Sequence, residues 1–88
     1  MSFEVRLETA VVKTLDRVDR TTEKRFRKRI EGLASDPFDP RLSQTLTGKG
    51  DMRKARVGGW RIVFEVDRAK RWIAVVALQR RGQVYKRL

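Results

Sequence analysis

The chain has 88 residues, 40% of them hydrophobic, which suits one packed domain and leaves too little material for a second core. It contains no cysteine and no histidine, so disulfides, thiolate nucleophiles and His/Cys zinc sites are excluded, and acid–base chemistry must come from Asp, Glu, Tyr, Lys or Arg. Lys and Arg total 22 against 11 acidic residues, a formal net charge of +11, and a field of that sign draws polyanions.

Phe3, Val5 and Leu7 alternate with polar residues, which predicts a short strand. Residues 1–10 hold no apolar run of the length a signal peptide needs. No stretch approaches the roughly 18–20 apolar residues of a membrane span. The expectation is a cytoplasmic protein without membrane contact. Over residues 8–18 the period changes: Val11, Leu15 and Val18 fall at i, i+4 and i+7, one stripe of a helix. Asp19, Thr21 and Thr22 interrupt it and offer N-caps for a second helix. There the stripe is Phe26, Ile30, Leu33 and Ala34, and the other faces carry Lys24, Arg25, Arg27, Lys28 and Arg29. Two helices joined this tightly form a helical hairpin.

Residues 35–51 contain both prolines, three aspartates and two glycines, which predicts a loop with turns at Asp36-Pro37 and Asp39-Pro40. Leu42 and Leu46 are placed to pin it to the core. From residue 52 the pattern is that of a sheet. Strands at 52–57 and 60–66 flank Gly58-Gly59, a two-residue hairpin signal in which both glycines accept positive φ. Residues 67–70 make the next turn. Residues 72–78 are almost wholly apolar, as for a central strand buried on both faces, and residues 84–88 can form a last strand. The order is βααββββ. This is an α+β domain over residues 1–88, with the helical hairpin packed on one face of a mainly antiparallel sheet.

The Gly58-Gly59 turn sets a register in which Val57 opposes Trp60, Arg56 opposes Arg61, Ala55 opposes Ile62 and Lys54 opposes Val63. Opposed residues share a face. Ala55, Val57, Trp60, Ile62, Phe64 and Val66 therefore form the core face, with Arg53 snorkelling at its rim. Lys54, Arg56 and Arg61 gather on the other face, near the single carboxylate of Glu65. Trp60 and Trp72 fall at core positions rather than at stacking platforms. Opposed like charges destabilise a sheet, and breaches of this kind tend to mark functional sites. Arginine forks bind phosphate oxygens in pairs, and clustered cations stabilise charge developing on a phosphorane-like transition state. Without histidine or metal, the chemistry that fits is attack by a ribose 2′-hydroxyl on the adjacent phosphate, so the substrate would be RNA. The charge is also lopsided: residues 52–88 hold 11 basic and 2 acidic side chains, a net of +9. The same face would equally serve a basic nucleic-acid-binding module without catalysis.

The segment from Lys54 through Arg56, Gly58 and Arg61 to Phe64 resembles the R-x-R-V-G-x-Y-R-x-x-Y strand pair of the RelE/ParE toxin superfamily. Arg81-Gly82-Gln83-Val84-Tyr85 resembles its H-R-x-x-V-Y terminus, and the upstream helical hairpin and linker match in order and length. The resemblance implies a toxin of a type II toxin–antitoxin system, in the branch similar to RelE, that cuts messenger RNA in the ribosomal A site without metal. It further implies an acidic RelB-like antitoxin, with operator DNA reached only through that antitoxin. Carried over by position, the catalytic set is Lys54, Arg61, Arg81 and Tyr85. Arg53, Arg56, Arg80 and Lys86 are the companion phosphate-binding residues. Tyr85 matches the terminal tyrosine implicated in proton transfer or base stacking; Arg80, Arg81, Lys86 and Arg87 flank it and would favour its phenolate. Arg80 stands where many relatives have histidine, Met52 where some have a basic residue, and Trp60 where tyrosine is usual. These departures leave the general base open. The alternative within the superfamily is a ParE-like gyrase inhibitor.

Overall fold

The structure, a computed structural model, describes residues 2–46 and 51–80. Strand β1 (Glu4–Leu7) leads into helices α1 (Thr9–Arg17) and α2 (Arg20–Ser35). Strands β2 (Gln44–Thr45), β3 (Met52–Val57), β4 (Trp60–Asp67) and β5 (Trp72–Arg80) follow. Among the described residues the sheet has the order β1-β5-β4-β3-β2. It is antiparallel except where β1 lies parallel to β5. The α+β architecture and the mainly antiparallel sheet agree with the sequence pattern.

The helices supply Val11 and Leu15 from α1 and Phe26, Ile30 and Leu33 from α2, all buried. They pack with Ala55, Val57, Ile62, Phe64, Val66, Ile73 and Val75 in one core cluster. Each valine, leucine, isoleucine or phenylalanine so removed from water contributes roughly 1.5–3 kcal/mol, which is what holds both helices to the sheet. Asp19 is the N-cap residue of α2, and Thr22 Oγ1 donates to its carboxylate at 2.5 Å. That bond, before any other cause, holds the Asp19 carboxyl below its ordinary value of 3.8.

Several details depart from expectation. The segment 35–51 was expected to be loop throughout, yet Gln44 and Thr45 pair with Lys54 and Arg53 as a short edge strand. Its turns are as expected: Asp36 Oδ1 accepts from Phe38 N and Asp39 Oδ1 from Arg41 N, each two residues on. Of the two turn glycines only Gly58 takes a positive φ, 57°, so the hairpin turn needs one left-handed residue rather than two. Strand β5 is buried on one face only: Ile73 and Val75 are buried, whereas Trp72, Ala74 and Val76 are half-exposed on the other face. Trp72 accordingly lies outside the core, with the Arg6 guanidinium 4.7 Å over its ring. Trp60 is half-buried against the core, its ring 5.3 Å from Phe26 in an edge-on contact. The strand expected at 84–88 lies outside the described residues.

A register shift interrupts the β4–β5 ladder between Val63 and Phe64. Val63 pairs with Ala77 and Phe64 with Val75, so Val76 is the extra residue. The bulge flips the side-chain parity of everything after it. Leu78 comes to oppose Ile62, and Arg80 to oppose Trp60, on the helix-covered face.

Candidate functional site

The β3–β4 hairpin has the register expected from its turn, with Arg56 directly opposite Arg61 and Lys54 opposite Val63. Lys54, Arg56 and Arg61 therefore project from the sheet face away from the helices. Lys54 and Arg61 are half-buried and Arg56 is exposed. Glu65 shares this face, but it stands four residues beyond Arg61 on β4. At 3.4 Å per residue that is roughly 14 Å, more than a Debye length at physiological salt.

The three cations line a cleft of about 300 Å³ whose opposite wall is the segment from Pro40 to Gln44. That wall exists because β2 pairs with β3 and because Leu42 N and Ser43 N donate to the Asp39 carbonyl. Arg29 and Arg41 join the lining, making five basic side chains and no carboxylate among the described lining residues. Arg41 is held by Asp39 through paired bonds of 3.2 and 3.1 Å, and the same guanidinium holds the Asp39 carboxyl below its ordinary value. Arg29 reaches in from α2. Its Nη1 donates to the Arg56 carbonyl at 2.7 Å and to the Leu42 carbonyl at 3.5 Å, joining helix, strand and wall.

The remaining expected site residues divide in two. Arg53 is on the opposite face, where Nε donates to the buried Ser43 Oγ at 2.9 Å and Nη1 to Thr45 Oγ1 at 3.2 Å. Its guanidinium also lies 5.3 Å over the Phe38 ring. The structure thus separates Arg53 from the cleft and uses it to tie the linker to the sheet. Arg80 is likewise apart, 5.3 Å over Trp60, because the bulge in β5 turns it to the helix side. Arg81, Tyr85 and Lys86 lie outside the described residues. Arg29 and Arg41 were not singled out by the sequence pattern. Arg29 sits three residues after Phe26 and one before Ile30, at the margin of the buried stripe, and that position is the only local hint of its direction.

A five-cation concavity of this size accommodates one phosphodiester with part of a sugar or base. Preorganised guanidinium groups can bind its oxygens in pairs and neutralise charge accumulating there. Residues 5–85 match the family model described as the ParE toxin of type II toxin–antitoxin system, parDE. The chain belongs to this toxin family. Among solved structures, the toxin is similar to the archaeal RelE–RelB complex from Pyrococcus horikoshii OT3, at 26% identity and a TM-score of 0.82, covering 94% of this chain and 99% of that one. The isolated Escherichia coli RelE toxin has the same fold, at 19% identity and TM-score 0.79, with 98% and 94% of the two chains covered. So does the RelBE2 complex of Mycobacterium tuberculosis, at 17% identity and TM-score 0.79, with 92% and 100% covered. No curated protein sequence matches the toxin significantly. Among the described residues no helix is long and apolar enough to cross a membrane.

Proposed function

We propose that this toxin is a ribosome-dependent endoribonuclease similar to RelE, which cuts messenger RNA in the A site and so blocks translation. The observation that carries the reading is the cleft in which Lys54, Arg56 and Arg61 converge with no acidic side chain among the described lining residues. In this reading a ribose 2′-oxygen attacks the adjacent phosphorus while the bond to the 5′-oxygen breaks, leaving a 2′,3′-cyclic phosphate and a free 5′-hydroxyl. Arg61 and Lys54 stabilise the extra negative charge on the non-bridging oxygens, and Arg56 grips the neighbouring phosphate. Arg81 adds a further fork to the phosphate. Tyr85 takes the proton from the 2′-hydroxyl or supplies one to the leaving oxygen. With no histidine in the chain, this acid–base equipment is weak, and the ribosome contributes by holding the 2′-hydroxyl and phosphate in line.

Several solved structures of this fold are RelE toxins in complex with RelB antitoxins. A chain of net charge +11 calls for an anionic counterpart, so the partner holding this toxin inactive is an acidic RelB-like protein. Operator DNA is contacted through that partner.

The match to a model named for ParE favours a second reading, inhibition of gyrase. Induction of the chain alone separates the two. The nuclease reading requires that amino-acid incorporation stop first while DNA replication continues. Growth arrest with sustained protein synthesis and rising DNA-damage signals would establish the gyrase reading instead.

A further inference from the structure

Two grooves on this molecule meet at shared residues. The cleft described above and a second groove along α2 are both lined by Arg29 and Leu42. The second groove adds Arg25, Lys28, Val57 and Gly58, again with no carboxylate among the described lining residues. On α2, Arg25, Lys28, Arg29 and Gly32 fall at i, i+3, i+4 and i+7, one flank of the helix beside the outer edge of β3. That edge is only half covered, because β2 pairs with Arg53 and Lys54 and with no later residue of β3.

We infer that the cationic cleft continues around the outer edge of β3 onto α2, where Arg25 and Lys28 form a second phosphate-binding stretch for the RNA strand flanking the cleft. The inference rests on the nuclease reading for its ligand. Three observations support RNA over an acidic peptide. An added peptide strand would need the carbonyls on the outer edge of β3 as hydrogen-bond acceptors, but Arg29 already occupies the Arg56 carbonyl at 2.7 Å. What remains on offer is side-chain cations, the recognition a phosphate backbone uses. Arg25 and Lys28 are exposed, while Val57 and Gly58 give the groove an uncharged floor against which a ribose or base can lie. Arg29 is the positioning residue at the joint, fixed by two carbonyls so that the two basic stretches meet.

The test compares the parent protein with Arg25→Ala/Lys28→Ala, using oligouridylates of about 4 and about 12 nucleotides, lengths that bracket single-strand site sizes. Each lost phosphate contact should lower the slope of log affinity against log salt by about 0.7. For the longer oligomer the double variant should lose a slope of about 1.4, and about 25-fold in affinity at ~0.1 M salt. Binding of the shorter oligomer should change little, which also shows that the variant is folded. In ribosome-dependent cleavage the variant should need more substrate for half-saturation, with kcat unchanged. Equal binding of the long oligomer by both proteins would overturn the inference. So would a variant that binds RNA normally but loses an acidic antitoxin peptide. A parent that cuts messenger RNA while its double variant is indistinguishable removes the track and leaves the nuclease reading standing. A parent that binds the long oligomer through Arg25 and Lys28 yet cuts nothing on the ribosome removes the nuclease reading and leaves the track.

Discussion

Arg56 faces Arg61 across the hairpin, and directly opposed like charges cost a sheet on the order of 0.2–1 kcal/mol. Truncating Arg56 to alanine keeps the backbone carbonyl that Arg29 holds, so Arg56→Ala should melt at or slightly above the parent temperature while cutting less RNA. Arg53→Ala should behave in the opposite way. It removes donors to Ser43 and Thr45, and hydrogen bonds to a charged group are worth about 1.5–3 kcal/mol. Thermal melts should show a drop of several degrees, since about 1 kcal/mol moves a domain of this size by roughly 4–8 °C, whereas RNA cleavage at low temperature should be retained. A melt for Arg53→Ala that matches the parent would contradict the tethering role. The sequence separates these two arginines only by parity along β3, which the Gly58-Gly59 turn makes readable. What Arg53 binds is ten residues away in a linker with no periodicity, so that partnership could not be read. The pH dependence also belongs to single residues. Asp19 and Asp39 have carboxyls held below 3.8, by Thr22 and Arg41 respectively. Lowered folded values contribute stability above the unfolded value that is lost as pH falls through the folded one. With no histidine to titrate, melting temperature should vary little between about pH 5 and 8 and fall on acidification below 3.8.

The elements were legible where one periodicity dominated. Helices α1 and α2 follow their apolar stripes, and the β3–β4 register follows from a two-glycine turn. The bulge at Val76 was not legible, because a run of apolar residues from Trp72 to Leu78 carries no alternation that a slip could interrupt. Its consequence is large: it places Arg80 over Trp60 and away from the cleft. Strand β2 was hidden because two residues are too few for a pattern, and its pairing depends on Asp36 and Asp39 turning the linker back. The turn itself gives a sharp prediction. Gly58 has φ of 57°, where a Cβ would also lie 3.4 Å from Arg25 Nη1, while a Cβ on Gly59 meets nothing within 4 Å. Gly58→Ala should destabilise by about 1–2 kcal/mol, whereas Gly59→Ala should stay within about 0.5 kcal/mol of the parent. Urea midpoints for the two variants check this, and equal midpoints would mean that the hairpin register does not depend on a left-handed residue at position 58.

Across the whole molecule the net charge of +11 is arranged rather than spread. The helices and sheet bury their apolar stripes against each other on one side, and the opposite sheet face gathers Lys54, Arg56 and Arg61 beneath a wall that brings in Arg41. Cations gathered this closely repel one another, and a local cost of that kind tends to mark a functional site. The fold class was accessible from composition and period because those are global properties. The cleft was only half accessible, since its second wall and Arg29 depend on contacts between segments distant in sequence. Removing Arg61, which lines the cleft, should cost about 100- to 1000-fold in cleavage rate if it stabilises the developing charge. The most direct measurement is therefore primer extension on a defined messenger RNA incubated with the toxin, with and without translating ribosomes, for the parent and for Arg61→Ala. A ribosome-dependent nuclease working through Arg61 should give A-site cuts by the parent that depend on ribosomes and nearly vanish in Arg61→Ala, while the variant still melts cooperatively. Equal cutting with and without ribosomes, or parent-like cutting by Arg61→Ala, would contradict it.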